Sequence, residues 1–373
     1  MAKENSWVAN ATRHLYVRLS ALSGFGSRAF QRLETNLADA FERLASYTDK
    51  RLIMLGFNPK QLKQWRESIR CNRVAAGMQW HNPGQQRYVI TMADQQYPDC
   101  LKQLNRPPFV VYAQGNLKAL SLPSIAIVGS RKLSPAGKSN AFDFAQHLAQ
   151  NGIVITSGVA LGVDAQAHLG CIEAGGITIG VLGSGVDIIY PQRNRRVFER
   201  ILASDGLLLS EYLPGTAAKA EHFPQRNRIV SGLALGVLVI EAQLRSGSLI
   251  TARAALEQNK DVFAIPGNIH QPHYTGCHWL IQQGAKLVTN AEDILEEYQQ
   301  FSLPSRPSDK KSQQSPLALS PLLDSVDFDV TTIDVIAERS KLPIPQILAE
   351  LLQYELRGFV AATSGGYVKL RGK

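Results

Sequence analysis

The stretch Ser124-Ile-Ala-Ile-Val-Gly-Ser-Arg131 decides the fold of this chain, and it continues through Lys132-Leu-Ser-Pro-Ala-Gly-Lys138. Its Ile-Ala-Ile-Val segment is typical of a strand that is buried on both faces of a parallel sheet. The run ends at a glycine, and a helix is predicted to begin at about Pro135. A strand, a tight turn and a helix N-terminus direct backbone N–H groups toward one point, which favours a bound phosphate. The residues predicted to contact this phosphate are Gly129, Ser130, Arg131 and Lys138.

Apolar strands and amphipathic helices alternate from this stretch to about residue 290. This alternation predicts a doubly wound, Rossmann-like α/β sheet, in which ligands bind beyond the carboxyl ends of the strands. Two earlier strands, at 88–91 and 109–112, are expected to join the same sheet. The later strands are predicted at 124–128, 153–156, 178–182, 207–210, 236–240 and 262–265.

Turns that contain glycine and serine follow several of these strands. One such turn is weak support for a ligand, because most are only turns. Four of them on one rim indicate a site where a ligand approaches the backbone closely. They are Gly129-Ser130-Arg131, Ser157-Gly158, Gly183-Ser184-Gly185 and Ser246-Gly247-Ser248.

Two nucleotide-binding motifs are absent from the sequence, and their absence reduces the set of candidate ligands. It has no G-x-x-x-x-G-K-[ST] loop, and no G-x-G-x-x-G follows the first strand of the alternation, so ATP and dinucleotides lose their usual support. A mononucleotide remains open, and no cofactor is predicted. His270, His273 and His278, like Asp164 with His168, lack the partners of a recognised ligand set, so no metal site is predicted.

An aromatic residue lies among cations at 222–228. Phe223 is followed by Arg226, Asn227 and Arg228, and single-strand binders stack bases on aromatic rings while cations hold the backbone. The alternative is a core phenylalanine beside helix-capping arginines. A second basic cluster, Arg193, Arg195, Arg196 and Arg200, is interpreted as a solvated helix face at least for Arg200.

Composition and the positions of turn-forming and linker-forming residues predict three folded parts. Residues 1–80 are expected to form a helical, SAM-like domain, because residues 7–75 show helical spacing without strand alternation. A turn at 19–28 resembles a helix-hairpin-helix, and a plain helical bundle is the alternative. Residues 81–300 carry the Rossmann-like sheet, and 301–316 are linker-like in composition. Residues 317–373 predict a winged helix with six Lys and Arg against seven Asp and Glu, which favours protein contact over groove binding.

Charge and cysteine content favour a cytoplasmic protein with a polyanionic partner. The 373 residues carry a net charge of +9, which suits a nucleic-acid partner and is also common among proteins that bind none. Four scattered cysteines without a C-x-x-C pair predict a reducing compartment. No apolar run approaches the roughly 20 residues of a membrane span, so no membrane function is expected.

Five ordered blocks resemble the bacterial DNA-processing protein A family (DprA, also called Smf). The resemblance implies a protein that is not an enzyme, binds incoming single-stranded DNA during natural transformation, protects it from nucleases and loads the recombinase RecA. The blocks are Ile127-Val-Gly-Ser-Arg131, Thr156-Ser-Gly-Val-Ala-Leu-Gly-Val-Asp-Ala-Gln-Ala-His168, Val181-Leu-Gly-Ser-Gly-Val-Asp-Ile-Ile-Tyr-Pro191, Phe223-Pro-Gln-Arg-Asn-Arg-Ile-Val-Ser-Gly232 and Leu244-Arg-Ser-Gly-Ser-Leu-Ile-Thr-Ala252.

The resemblance assigns roles to individual residues. It implies that Gly129, Ser130 and Arg131 grip a DNA phosphate and that Phe223 stacks a base. Lys219 is a weaker candidate, because the position where a lysine is wanted holds Ala220. The resemblance also implies a homodimer, with His278, Ile281 and Leu287 in its interface; for Ile281 and Leu287, the alternative is a helix and a strand that pack onto the sheet.

Two other function classes are weighed against this one. Nucleoside-monophosphate phosphoribohydrolases share the fold class, but they use a Pro-Gly-Gly-x-Gly-Thr-x-x-Glu block, and the loop at 244–251 lacks that glutamate. A winged-helix transcription factor is disfavoured by the acidic C-terminal helix.

Overall fold

A computed structural model describes residues 2–298 and 321–370. The predicted linker at 301–316 lies outside the described residues. The N-terminal part is helical, as expected, and its helices are α1 Ala2–Ser20, α2 Ser27–Leu37, α3 Asp49–Met54, α4 Pro59–Glu67 and α5 Asn72–Trp80.

The middle part has strands and helices in alternation. Its strands are β1 Arg87–Thr91, β2 Val110–Gly115, β3 Ser124–Val128, β4 Val154–Ser157, β5 Thr178–Leu182, β6 Leu207–Ser210, β7 Gly236–Val239, β8 Asp261–Ala264 and β9 Lys286–Leu287. Its α-helices are α6 Asp99–Lys102, α7 Pro135–Gln150, α8 Val163–Glu173, α9 Arg195–Ala203, α10 His222–Leu233, α11 Gly247–Glu257, α12 Thr275–Gln282 and α13 Glu292–Leu295.

These strands form a single nine-stranded sheet in the order β1-β2-β6-β5-β4-β3-β7-β8-β9. The pairs β1–β2 and β2–β6 are antiparallel, and every other pair is parallel. The predicted α/β class is confirmed, and both early strands join the sheet as expected. The chain runs outward from β3 through β4 and then returns to place β7 on the other side of β3. The crevice between β3 and β7 is therefore the topological switch point, where such sheets bind ligands.

The helical part packs directly on the antiparallel edge of the sheet. The rings of Phe30 and Phe109 stack with centroids 4.6 Å apart. The Trp80 indole N–H donates to the carbonyl oxygen of Ala113 at 3.1 Å. One cluster of buried apolar side chains runs from α1 to β6. The predicted boundary at 80/81 therefore divides the elements but not the hydrophobic core.

The C-terminal part has the predicted order of helices followed by a hairpin, which confirms the winged helix. Its elements are α14 Pro321–Asp324, α15 Ile333–Ser340, α16 Ile344–Leu356, β10 Val360–Thr363 and β11 Gly366–Lys369. One face of α16 exposes apolar side chains at four-residue intervals, with Leu356 the most exposed at 81%. An apolar face of this kind is a poor match for DNA phosphates.

Two further features bear on the sequence-based expectations. All four cysteines are free thiols. In the described part of the chain, no helix is both long enough and apolar enough to cross a bilayer.

Candidate nucleic-acid interface

A cavity of about 640 Å³ opens at the switch point, between the loops that follow β3 and β7. The helices α8 and α10 and the segment before α10 complete its walls. Ten of the sequence-predicted site residues line it, so the structure brings together segments that lie more than 100 positions apart in the chain. They are Gly129, Ser130, Arg131, Gly158, Phe223, Arg226, Asn227, Ser246, Gly247 and Ser248.

The N-terminus of α7 does not face a free anion position, which corrects the first expectation. Ser134 caps the helix, its hydroxyl oxygen accepting from the Gly137 N–H at 2.9 Å. The fully buried Glu241 carboxylate accepts hydrogen bonds from the Ser134 hydroxyl and, at 3.3 Å, from the Ser134 N–H. A Cβ at position 137 would overlap that carboxyl group. The negative charge that favours this helix end is therefore supplied by the protein's own Glu241 carboxylate.

The start of α11 is the helix end that opens into the cavity. Ser246 is the N-cap residue, but its side chain makes no capping hydrogen bond, and its hydroxyl lies 3.0 Å from that of Ser248. A Cβ at Gly247 would meet nothing within 4 Å, so this end of the helix is open. The Asn227 amide donates to the Gly247 carbonyl at 3.3 Å and ties α10 to this turn. Uncapped N–H groups and two hydroxyls here offer donors to an anion.

Phe223 presents an aromatic face to the same cavity. Its ring packs against Gly183, where a Cβ would lie 2.8 Å from the ring. The half-exposed Tyr190 ring stacks beside it, with centroids 5.5 Å apart and planes inclined by 30°. The Arg131 guanidinium lies 5.8 Å from the Phe223 centroid. The cavity therefore combines a pair of aromatic rings with a cation beside them.

The floor of the cavity is built from buried charged groups. Arg226 is buried, and its guanidinium donates to the carbonyl oxygen of Val181 and lies against Gly158, where a Cβ would overlap it. Burial lowers the pKa of Arg226 to about 10, although the nearby Asp164 opposes this shift. Burial likewise raises the pKa of the Asp164 carboxyl. That carboxyl accepts from the N–H groups of Gly158 and Ala160 at 3.1 and 3.3 Å, which fixes the loop after β4.

Four predicted site residues lie elsewhere. Ser157 is fully buried, and its hydroxyl donates to the Ile127 carbonyl at 2.6 Å, so it joins two strands. Both Nη atoms of Arg228 donate to the Glu211 carboxylate at 2.7 Å, which commits this guanidinium to an ion pair. Lys138 is exposed on α7 outside the cavity lining, and Lys219 is exposed between two alanines that do line it.

Sequence reasoning assigned no role to three residues that line the cavity. Lys132 and Arg245 are exposed cations on the two loops that frame the switch point, and Tyr190 is the second aromatic ring. A signal for each was present: Lys132 follows Arg131, Arg245 precedes the Ser-Gly-Ser turn, and Tyr190 is the last residue but one of the third family-like block.

Comparison with known families identifies the chain. The family described as "DNA recombination-mediator protein A" matches residues 88–299, and the "DprA winged helix domain" matches residues 306–366. The chain belongs to the DNA recombination-mediator protein A family. The resemblance noted in the sequence is thereby confirmed.

Individual relatives agree with this assignment. Protein Smf of Escherichia coli is 44% identical over 291 residues, which are 76% of this chain and 78% of the relative. The structure of DprA from Streptococcus pneumoniae superposes with a TM-score of 0.66 at 36% identity, covering 76% of this chain and 95% of that one. A structure of DprA from Helicobacter pylori, described as showing its single-stranded DNA binding mode, has a TM-score of 0.52 at 32% identity and covers 58% and 96%.

The three residues predicted for a dimer interface lie near the β9 edge of the sheet, which is opposite the β1 edge. His278 and Ile281 are half-buried on α12; the His278 imidazole is 3.0 Å from the Gly267 carbonyl, and Ile281 packs on the core. Leu287 is 45% exposed on β9, the terminal strand. Among the residues that the structure describes, no group of three or more His, Cys, Asp or Glu is arranged to hold a metal ion.

The contact between Ser134 and Glu241 yields a prediction for stability. Ser134→Ala should lower the free energy of unfolding by about 1–3 kcal/mol, because a helix cap and a bond to a buried carboxylate are lost together. Glu241→Gln should cost less in the Ser134→Ala background than in the wild type, with a coupling of about 0.5–3 kcal/mol by urea denaturation. Ser139→Ala, on the same helix, is the control; it removes a part-buried bond from the Ser139 hydroxyl to the Asp143 carboxylate at 2.9 Å but no helix cap, so its effect should be smaller. Additive effects of the two substitutions would show that the contact is unimportant.

Proposed function

We propose that the switch-point cavity binds a nucleotide unit of single-stranded DNA and that this protein is a single-strand-binding recombination mediator. The observation that carries the proposal is the meeting of the Phe223 and Tyr190 rings with the Arg131 guanidinium and the open start of α11 in one cavity. The rings suit stacking of a base, and the cation and helix end suit its phosphate. The Helicobacter pylori relative, described as binding single-stranded DNA, supports the same assignment.

The arrangement of the cations favours a polymer over a free nucleotide. Arg131, Lys132 and Arg245 are exposed at the mouth of the cavity, whereas Arg226 is buried at its floor. Exposed cations can contact phosphates on either side of a nucleotide that occupies the cavity. Binding of this kind releases counterions from the strand and weakens as salt rises.

Binding also fits the cavity better than the alternative of nucleotide hydrolysis. Within the described lining, Asp164 is the carboxylate that a hydrolase would have to use as its acid or base. Its Oδ2 atom already accepts two backbone N–H groups, and the Arg226 cation lies near it. A carboxylate held in this way positions a loop, so we assign Asp164 a structural part in the site.

The wider role follows from membership of a family of recombination mediators. We propose that the protein shields an incoming strand from nucleases and loads RecA onto it during natural transformation. The exposed mouth of the cavity supports this, since a strand held by one nucleotide unit leaves its remaining bases available to a recombinase. The cytoplasmic location that this role requires stays a prediction.

Arg131 and Lys138 provide a matched test of the site. Arg131→Ala should weaken binding of oligo-dT about tenfold to a hundredfold, because a charged hydrogen bond contributes about 1.5–3 kcal/mol. Lys138→Ala removes the same charge from the same loop-helix segment but lies outside the cavity, so its affinity should stay near that of the wild type. Fluorescence anisotropy at several salt concentrations measures both variants.

The same pair of variants tests the mediator role. In RecA strand exchange on a DNA strand coated with single-strand-binding protein, the wild type and Lys138→Ala should stimulate the reaction and Arg131→Ala should not. Equal DNA affinities for the two variants would show that the phosphate does not bind in this cavity. If the wild type binds DNA but does not stimulate RecA, the site is retained and RecA loading is refuted.

We further propose a homodimer that forms through the β9 edge of the sheet. Leu287 is exposed on that terminal strand, whereas Ile281 already packs on the core, so Leu287 is the better residue to test. Leu287→Arg should give a folded monomer by light scattering, because a buried unpaired charge is costly at an interface. Ile53→Arg, at a similarly exposed apolar position on α3, is the control and should leave the oligomeric state unchanged. A Leu287→Arg protein that remains a dimer would move the interface elsewhere.

A further inference from the structure

A row of arginines begins next to the cavity, and the site described so far does not use it. Arg193 lies in the 3-10 turn Gln192–Asn194, and Arg196 and Arg200 follow in α9. Their spacing of three and then four residues places them on one face of the helix. All three are exposed. We call them the arginine ridge.

The ridge is not explained by packing or by ion pairs. The opposite side of α9 packs into the core through Val197, Phe198 and Ile201. In the described part of the chain, Arg193 and Arg196 have no carboxylate within ion-pair distance. Arg200 has one, Glu173, at 3.8 Å, with both side chains about half exposed. Exposed pairs of this length contribute little to stability, so the ridge retains its positive charge for another partner.

The start of the ridge is fastened to the wall of the cavity. The Asn194 side chain, which follows Arg193 in the chain, donates to the carbonyl oxygens of Val159 and Ala160 at 3.0 and 2.9 Å. Ala160 itself lines the cavity. Tyr190, three residues before Arg193, lines the cavity too and stacks on Phe223. The aromatic pair and the ridge are therefore held in a fixed relation by a short, anchored segment.

We propose that single-stranded DNA leaves the cavity over Tyr190 and that the arginine ridge binds the phosphates of the following nucleotides. This proposal rests on the proposed function of the cavity. Arg193 is three positions after Tyr190 in the chain, a reach of at most about 11 Å. Arg200 is seven positions further on, which adds roughly 10 Å along the helix. Guanidinium groups bind phosphates with their fork of N–H donors, and the half-exposed Tyr190 ring gives the intervening base a surface to stack on.

The ridge should contribute only when a strand is long enough to reach it. A short oligonucleotide occupies the cavity alone, whereas a longer one also meets the ridge. Each phosphate contact of a single strand adds about 0.7 to the slope of log affinity against log salt. The ridge therefore predicts that the gain in affinity with strand length depends on Arg193 and Arg196 in particular, whereas a diffuse positive field would depend equally on any exposed arginine of α9.

The experiment compares the wild type with Arg193→Ser/Arg196→Ser on oligo-dT of about 4 to about 16 nucleotides, the range of site sizes in single-strand binders. On the shortest strands that bind, both proteins should have similar affinities. On the longest, the double variant should bind about tenfold more weakly, and its salt slope should fall by about 1.4, the value for two lost contacts. Thermal unfolding confirms that the exposed substitutions leave the fold intact.

Two controls separate a phosphate track from general electrostatics. Arg195→Ser removes one charge from the same helix, about 100° away from Arg196, where Arg195 bonds to Gln192 at 3.2 Å. It should weaken the long strand much less than Arg196→Ser does. Arg193→Lys/Arg196→Lys preserves the charge and should recover most of the affinity and the salt slope.

Each remaining outcome decides between the proposals. If the wild type binds neither short nor long strands, the proposed function of the cavity fails. If the wild type gains affinity with length and Arg193→Ser/Arg196→Ser gains it equally, the cavity stands and the ridge is overturned. Equal losses of affinity for the long strand in Arg195→Ser and Arg196→Ser also overturn the ridge, because they show that any positive charge on α9 contributes in the same way.

Discussion

The candidate site depends on the hydrogen bonds that the buried Glu241 carboxylate accepts from Ser134. Glu241 follows β7 in the chain and accepts hydrogen bonds from Ser134 at the start of α7, so it ties together the loops of the two strands that flank the switch point. A buried carboxylate is stable only when it is hydrogen-bonded, and here the helix end supplies that stabilisation. Because this position is filled from within, the start of α11 and the cations at the mouth remain as the places where an external anion can bind.

The site divides its charges by depth. Arg226 and Asp164 are buried near each other, and their bonds to backbone groups of the strand ends and loops fix the shape of the floor. Arg131, Lys132 and Arg245 are exposed and free to follow a ligand. Such a division suits a DNA strand that is held firmly at one nucleotide and only loosely along the rest of its length. It also explains why a mostly uncharged set of Gly and Ser turns can serve a polyanion: the turns allow close approach, and the charge lies at the mouth.

Much of this was accessible from the sequence, because apolar runs and glycine turns are local signals. The strands at 178–182 and 207–210 and the helix start at Pro135 agree with β5, β6 and α7. Three of the four glycine and serine turns expected on one rim contribute to the cavity lining, whereas the Gly183-Ser184-Gly185 turn lies outside it, with Gly183 packed against the Phe223 ring. The errors concern partners that lie far apart in the chain. Glu241 reaches a helix 107 positions earlier, and Arg228 is paired with Glu211, which no local pattern indicates. Ser157 was misplaced because a hydroxyl after a strand looks the same whether it faces a ligand or a neighbouring strand.

The central claim is that a base of single-stranded DNA stacks at Phe223 and Tyr190 in the switch-point cavity. Photochemical cross-linking of an oligonucleotide that carries iodinated deoxyuridine, followed by mass spectrometry of the peptides, tests it most directly. We predict adducts on Phe223 or Tyr190 that disappear when unlabelled oligo-dT competes. Adducts confined to the winged helix or the N-terminal helices, with none on these two rings, would contradict it.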